Sequence, residues 1–188
     1  MSEPCHRLHT LPVRFYSDET GARFQKCVDC GQALEFCEDG YYVQKAYAGE
    51  ETIMEMAICG SCHQNLQSSY SKESRDRIWN FYIDQGNIAG RLKKFYPLPV
   101  GNPDFWINAC LTCGAVRGSL REYVLAAQVL EGDLVYGELP LMICFKCMDH
   151  IVGLLSEHSR DAYDRWMDRV LPQAPETSDA KPRVRVFL

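Results

Sequence analysis

Cys27-Val28-Asp29-Cys30-Gly31 and Cys59-Gly60-Ser61-Cys62 bracket 28 residues (positions 31–58). The same device returns at Cys110-Leu111-Thr112-Cys113-Gly114 and Cys144-Phe145-Lys146-Cys147, around 30 residues (positions 114–143). Eight of the chain's ten cysteines fall in these four Cys-x-x-Cys pairs. Such spacing gathers soft thiolates around one metal ion, and two couples predict two ions. Glycine after each first pair can take positive φ, which turns backbone amides towards the sulfurs.

Working outward, the couples prove to be copies. Shifting residues 57–82 by 85 lays Ile58, Cys59, Cys62, Ser71, Ser74, Arg75 and Asp76 on Ile143, Cys144, Cys147, Ser156, Ser159, Arg160 and Asp161. Apolar positions match as well: Leu66 with Ile151, Tyr70 with Leu155, Ile78 with Tyr163, Phe81 with Trp166. The first pairs need a shift of 83, so copy two carries two extra residues between its pairs. Internal duplication explains this pattern.

Each copy reads as one order of elements. After the cysteine turn, strand-like residues 41–47 and 52–58 flank Ala48-Gly49-Glu50-Glu51, and 122–130 and 134–143 flank Glu131-Gly132-Asp133. Both predict β-hairpins. The second pair of cysteines then opens a helix. Ser71 and Ser156 are placed to N-cap a further helix. Ile78, Trp79, Phe81 and Tyr82 would pack that helix in copy one, and Tyr163, Trp166, Met167 and Val170 in copy two. The fold class expected is α+β: two tandem modules, each a zinc knuckle, a β-hairpin and C-terminal helices.

Pro97, Pro99, Gly101 and Pro103 mark a linker over 97–106. It separates a first module with its N-terminal extension (1–96) from a second (107–171), and 172–188 reads as a flexible tail. Within that tail Arg183 to Leu188 alternates like a strand, as does Val13 to Tyr16 near the other end.

Cysteine turn, hairpin, then a helix carrying two more cysteines: this resembles the treble-clef zinc finger, over roughly residues 24–82 and 107–167. The resemblance implies that Cys27, Cys30, Cys59 and Cys62 hold one Zn2+, and Cys110, Cys113, Cys144 and Cys147 a second. Ligation crossed between the halves is the alternative, disfavoured because each copy holds a full set. Zinc is preferred to rubredoxin-type iron, since the second pairs lack a trailing glycine and lead into helices. Treble clefs serve many roles, so the likeness bears on fold more than on function.

The net charge of −5 divides into −2 over residues 1–100 and −3 over 101–188. Neither half offers the basic surface that phosphate binding requires, so nucleic acid is disfavoured as a partner. No apolar run nears the eighteen or so residues of a membrane helix. The opening MSEPCHRLHT has no secretory pattern, so a cytoplasmic protein with no membrane partner is expected. Arg91, Lys93 and Lys94 read as a solvated helix end, and His63, His150 and His158 as surface residues. Arg75-Asp76 and Arg160-Asp161 read as folding signals. Cys5 and Cys37, outside the repeat, read as ordinary thiols.

No Walker loop, dinucleotide fingerprint, G-x-S-x-G or HExxH is present. Four cysteines leave zinc no open position for water, which argues against an enzyme. The expectation is a structural zinc protein that works as an interaction, scaffold or regulatory module with a protein partner. Tyr41, Tyr42, Tyr47, Trp79 and Trp106 are candidates for its surface. A nucleic-acid-binding zinc finger and a thiol or metal redox protein are the alternatives.

Overall fold

A computed structural model describes residues 7–95 and 102–171. Cys5, Pro97, Pro99, Gly101 and the tail 172–188, with its strand-like Arg183 to Leu188, lie outside the described residues. The fold is mixed α+β with an antiparallel sheet. Its strands are β1 (Arg7–Thr10), β2 (Tyr41–Ala48), β3 (Glu51–Cys59), β4 (Glu122–Leu130), β5 (Asp133–Tyr136) and β6 (Leu141–Cys144). Helices are α1 (Gly60–Ser68), α2 (Lys72–Gly86), α3 (Ile88–Phe95), the short α4 (Asp104–Ile107), α5 (Phe145–Gly153) and α6 (Glu157–Val170). No described helix is long and apolar enough to cross a membrane.

Both hairpins form. In the second, Glu131 and Gly132 both have positive φ (52° and 83°), the combination a tight two-residue hairpin turn requires. The expected strand 134–143 is split, however. Residues 137–140 leave the ladder: Gly137 N–H bonds to Leu139 O (2.8 Å), and Pro140 has no N–H to offer a neighbouring strand. β5 and β6 therefore lie one after the other along the same edge of β4.

The strand order is β1-β5-β4-β2-β3, with β6 also on β4. The hairpins of the two copies thus share one sheet. They join where β2 runs antiparallel to β4, in register from Tyr41↔Val129 to Ala48↔Glu122. Val43, Ala46, Val124, Ala127 and Val129 at this seam are fully buried. Equivalent strands paired antiparallel are related as by a two-fold axis.

The long helices obey the same symmetry. Their N-termini meet in a ring of four serines. Ser71 and Ser156 cap their own helices by accepting from the amides of Ser74 (3.2 Å) and Ser159 (3.3 Å). Across the axis, Ser71 N–H donates to Ser159 Oγ (2.8 Å) and Ser156 N–H to Ser74 Oγ (2.9 Å). Ser71 Oγ and Ser156 Oγ lie 3.1 Å apart. Donors left over at two helix starts are satisfied reciprocally, with Ser74 and Ser159 wholly buried. From this meeting point each helix crosses to the other half. A Cβ at Gly86 of α2 would sit 3.2 Å from Leu111, in the second cysteine turn. Trp166 of α6 bonds to Asp29, in the first.

The helix-packing expectation holds for Ile78, Tyr82, Tyr163, Trp166 and Val170, which are buried. Phe81 and Met167 are half-buried against the core. Trp79 is not part of it: 52% exposed, it faces solvent. Conversely, Tyr41 and Trp106, proposed for a surface, are buried. Arg91 is no solvated residue either. Its guanidinium donates to the carbonyls of Trp106 and Pro140 and lies 4.8 Å from the Trp106 ring centroid. Burial lowers its pKa to about 10.

Val13–Phe15 forms a 3-10 turn rather than a strand. Pro12 precedes it, and burying Phe15 completely curls the chain onto the sheet. Lys45 of β2 anchors this stretch. It is fully buried, with Nζ 2.7 Å from Asp18 Oδ1, 3.3 Å from Glu55 Oε2 and 2.8 Å from Tyr16 O. Glu55 is its direct cross-strand neighbour and also accepts from Ser17 Oγ (2.7 Å). Removing one member of such a group strands the others. Lys45→Met is expected to lower unfolding free energy by about 3 kcal/mol, measured by denaturant titration of the metal-loaded protein. Ser74→Ala and Ser159→Ala should each cost about 1–2 kcal/mol in the same assay, and by similar amounts, since their contacts are related by the two-fold axis.

Candidate metal centres

Each first cysteine pair lies on a turn closed by a short bridge, Lys26 with Ala33 and Ala109 with Val116. Gly31 N–H returns to Cys27 O, and Gly114 N–H to Cys110 O, both at 2.9 Å. Both glycines have φ of 72°, a conformation that costs other residues about 1–2 kcal/mol. The turns are tied to the sheet by Val28 N–H to Ala57 O and Leu111 N–H to Met142 O, both 2.8 Å. The second pairs sit at the junction of a strand and a helix. Cys59 ends β3 and precedes α1, while Cys144 ends β6 and precedes α5.

This brings together Cys27, Cys30, Cys59 and Cys62, and separately Cys110, Cys113, Cys144 and Cys147. Within each group all sulfurs lie within 4.8 Å of one another. The Cys30–Cys59 and Cys113–Cys144 sulfurs are 3.9 and 3.8 Å apart. A disulfide would need about 2.05 Å. Four sulfurs at about 2.3 Å from a central ion form a tetrahedron with edges of about 3.8 Å. The two groups therefore have the dimensions of metal sites. Each is drawn from one copy, so the sequential grouping of cysteines is the one the fold produces.

Amides aimed at the sulfurs favour thiolate. Cys59 N–H donates to Cys27 Sγ and Cys144 N–H to Cys110 Sγ, both at 3.4 Å. Burial alone would raise the pKa of Cys27, but the amides of Cys30, Cys59 and Asp29 together outweigh it and hold the thiol below its usual value. At Cys110 the same contest, with Thr112 helping, brings the pKa down to about 6. Burial and neighbouring sulfurs raise Cys59 to about 11, and raise Cys62, Cys144 and Cys147. Four negative sulfurs cannot coexist cheaply, and a dication relieves that conflict.

The surroundings differ between the copies in ways that sequence reading missed. Asp29, between Cys27 and Cys30, accepts from Trp166 Nε1 (3.1 Å) and Arg169 Nε (3.0 Å), with Arg169 Nη2 2.8 Å away. Thr112 takes the equivalent place and turns its hydroxyl to Cys110 Sγ (3.4 Å). Cys37 lies beside the first group: its thiol donates to Ala33 O (3.6 Å), and burial, with the sulfurs of Cys27 and Cys30 nearby, raises its pKa. Nothing in the repeat flagged these three, because none recurs. His63 is no surface residue: its ring lies 4.2 Å from that of Tyr42, and burial lowers its pKa to about 4. His150 and His158 are exposed, with His150 5.0 Å from the Phe81 ring. Arg75 donates to Tyr70 O (3.2 Å) at the end of the preceding helix, which accounts for its place in the structure.

No family model, curated protein or solved structure matches this chain.

Because the two turns share their geometry, Gly31→Ala and Gly114→Ala should weaken their respective sites alike. About 1–2 kcal/mol of strain predicts roughly a five- to thirtyfold loss of affinity for the ion. Competition with a chromogenic chelator reads this, and equal affinity of variants and wild type would refute it.

Proposed function

We propose that the protein is a non-enzymatic zinc protein whose two ions, each bound by four cysteines, hold together a scaffold that docks a protein partner. The observation that carries the first part is the pair of four-sulfur groups with tetrahedral dimensions. An all-thiolate set suits zinc and leaves no open position for substrate, so the ions serve structure. The order of turn, hairpin and helix in each copy supports treble-clef-like modules. Here the modules are interlocked through one sheet and two exchanged helices.

A comparison of the two copies supports the docking reading. Trp79 and Ile83 lie one turn apart on α2, 52% and 47% exposed. The shift of 85 places Asp164 and Asp168 at the same positions on α6, both exposed. One copy shows that this helix face folds with carboxylates upon it. The other carries an exposed tryptophan, the residue type most enriched at binding hot spots. The net charge of −5 favours a protein over nucleic acid.

Elemental analysis of untagged protein should find close to two zinc ions per chain, and cobalt(II) should replace them with the absorption bands of tetrahedral tetrathiolate. Iron, or no metal with cysteines in disulfides, would sink the reading. The double variant Trp79→Asp, Ile83→Asp should fold with stability changed by less than about 1 kcal/mol yet lose the partner recovered with wild type. Retention of that partner would remove α2 from the interface.

A further inference from the structure

Asp29 sits inside the first Cys-x-x-Cys pair yet spends its carboxylate on the other half of the molecule. Trp166 Nε1 and Arg169 Nε both donate to it, at 3.1 and 3.0 Å, and Arg169 closes an ion pair at 2.8 Å. These two residues lie in the last two turns of α6. Trp166 is 3% exposed and lines an apolar cavity of about 30 Å³ together with Tyr42, Met56, His63, Leu66 and Leu139, among others. The seat of Trp166 in this cavity wall is therefore tied to where the first cysteine turn holds one carboxylate.

The second turn carries no carboxylate at the matching place. Thr112, in place of Asp29, bonds to its own Cys110. On the reciprocal side, α2 meets the second turn where Gly86 lies against Leu111, an apolar touch that tolerates small shifts. The two sites are alike in sulfur geometry and different in what they hold.

We propose that the first site is a metal-gated latch: its ion fixes the turn that carries Asp29, and losing the ion releases the end of α6 and opens the cavity that Trp166 helps to line. This rests on the metal-binding reading above. The physical argument is short. Without an ion, the first pair keeps the Cys59 amide on Cys27 Sγ and the Val28–Ala57 backbone bond but loses the link through all four sulfurs, and any thiolates among them repel. The turn is then held more loosely, and a two-bond carboxylate clamp tolerates little displacement before its geometry fails. Emptying the second site loosens its own turn, whose Thr112 is engaged with Cys110 rather than with α2.

Hydrogen exchange of the zinc-loaded 188-residue chain, read by mass spectrometry over the ends of α6 (residues 163–170) and α2 (residues 79–86), tests this. Zinc uptake is measured first. In Asp29→Ala, which keeps every cysteine and should keep both ions, exchange at the end of α6 should rise on the order of tenfold. Thr112→Ala should leave exchange at the end of α2 unchanged. Cys62→Ser, which disables the first site, should accelerate α6 as Asp29→Ala does, whereas Cys147→Ser, which disables the second, should not. Should Cys62→Ser fail to fold, Asp29→Ala against Thr112→Ala still decides. A chain that takes up no zinc sinks the metal reading itself. Zinc uptake with α6 indifferent to Asp29, or equally sensitive to the loss of either site, sinks the latch alone.

Discussion

β2 lies against β4, and the arrangement of the molecule follows from that pairing. The seam is built from small and branched residues, Val43, Ala46, Val124 and Ala127, none accessible to solvent. A sheet closed here puts the outer hairpin strands on opposite sides and leaves α1 and α5 packed on the strands from which they emerge. It also fixes where α2 and α6 must begin. Two helix N-termini, each with partial positive charge and unpaired amides, are brought together at the axis. Hydroxyls are the suitable groups for that place, since each accepts from one amide and donates to another oxygen.

The four-sulfur groups stand at the outer ends of this assembly. Each joins a turn that has little core of its own to the strand–helix junction that borders the sheet. With an ion bound, sulfur–metal bonds would do there what apolar burial does at the seam. Buried Cys27, Cys59, Cys110 and Cys144 belong to both systems, since they are at once candidate ligands and members of the hydrophobic cluster. Lys45 solves a comparable problem on β2, where a charge within the sheet is tolerated because Asp18, Glu55 and a carbonyl surround it.

What sequence disclosed was what is local or repeated. The cysteine spacing, the hairpin turns and the caps at Ser71 and Ser156 all act within a few residues, and their signals survive without tertiary context. The sharing of one sheet did not show, because strand pairing across 80 residues leaves no mark in composition. The serine ring was half visible: Ser74 and Ser159 recur, but only the axis makes them partners. Asp29 reads as a polar turn residue, and its bonds to Trp166 and Arg169 span a separation that no pattern encodes. Aromatics misled most. Tyr41 and Trp106 belong to the interior, and only burial against other elements, not residue type, separates them from Trp79.

The internal axis has a consequence for how such a chain can change. In a dimer of identical subunits every substitution appears twice, once on each side, and an interface can alter only symmetrically. Joined in one chain, the halves are released from that rule while the seam and the serine ring still hold them in the old arrangement. Tryptophan can then stand on one long helix where aspartate stands on the other, and one cysteine turn can reach across to its neighbour while its twin stays closed on itself. Shared geometry keeps the fold, and the positions outside it are where the two copies have become different surfaces.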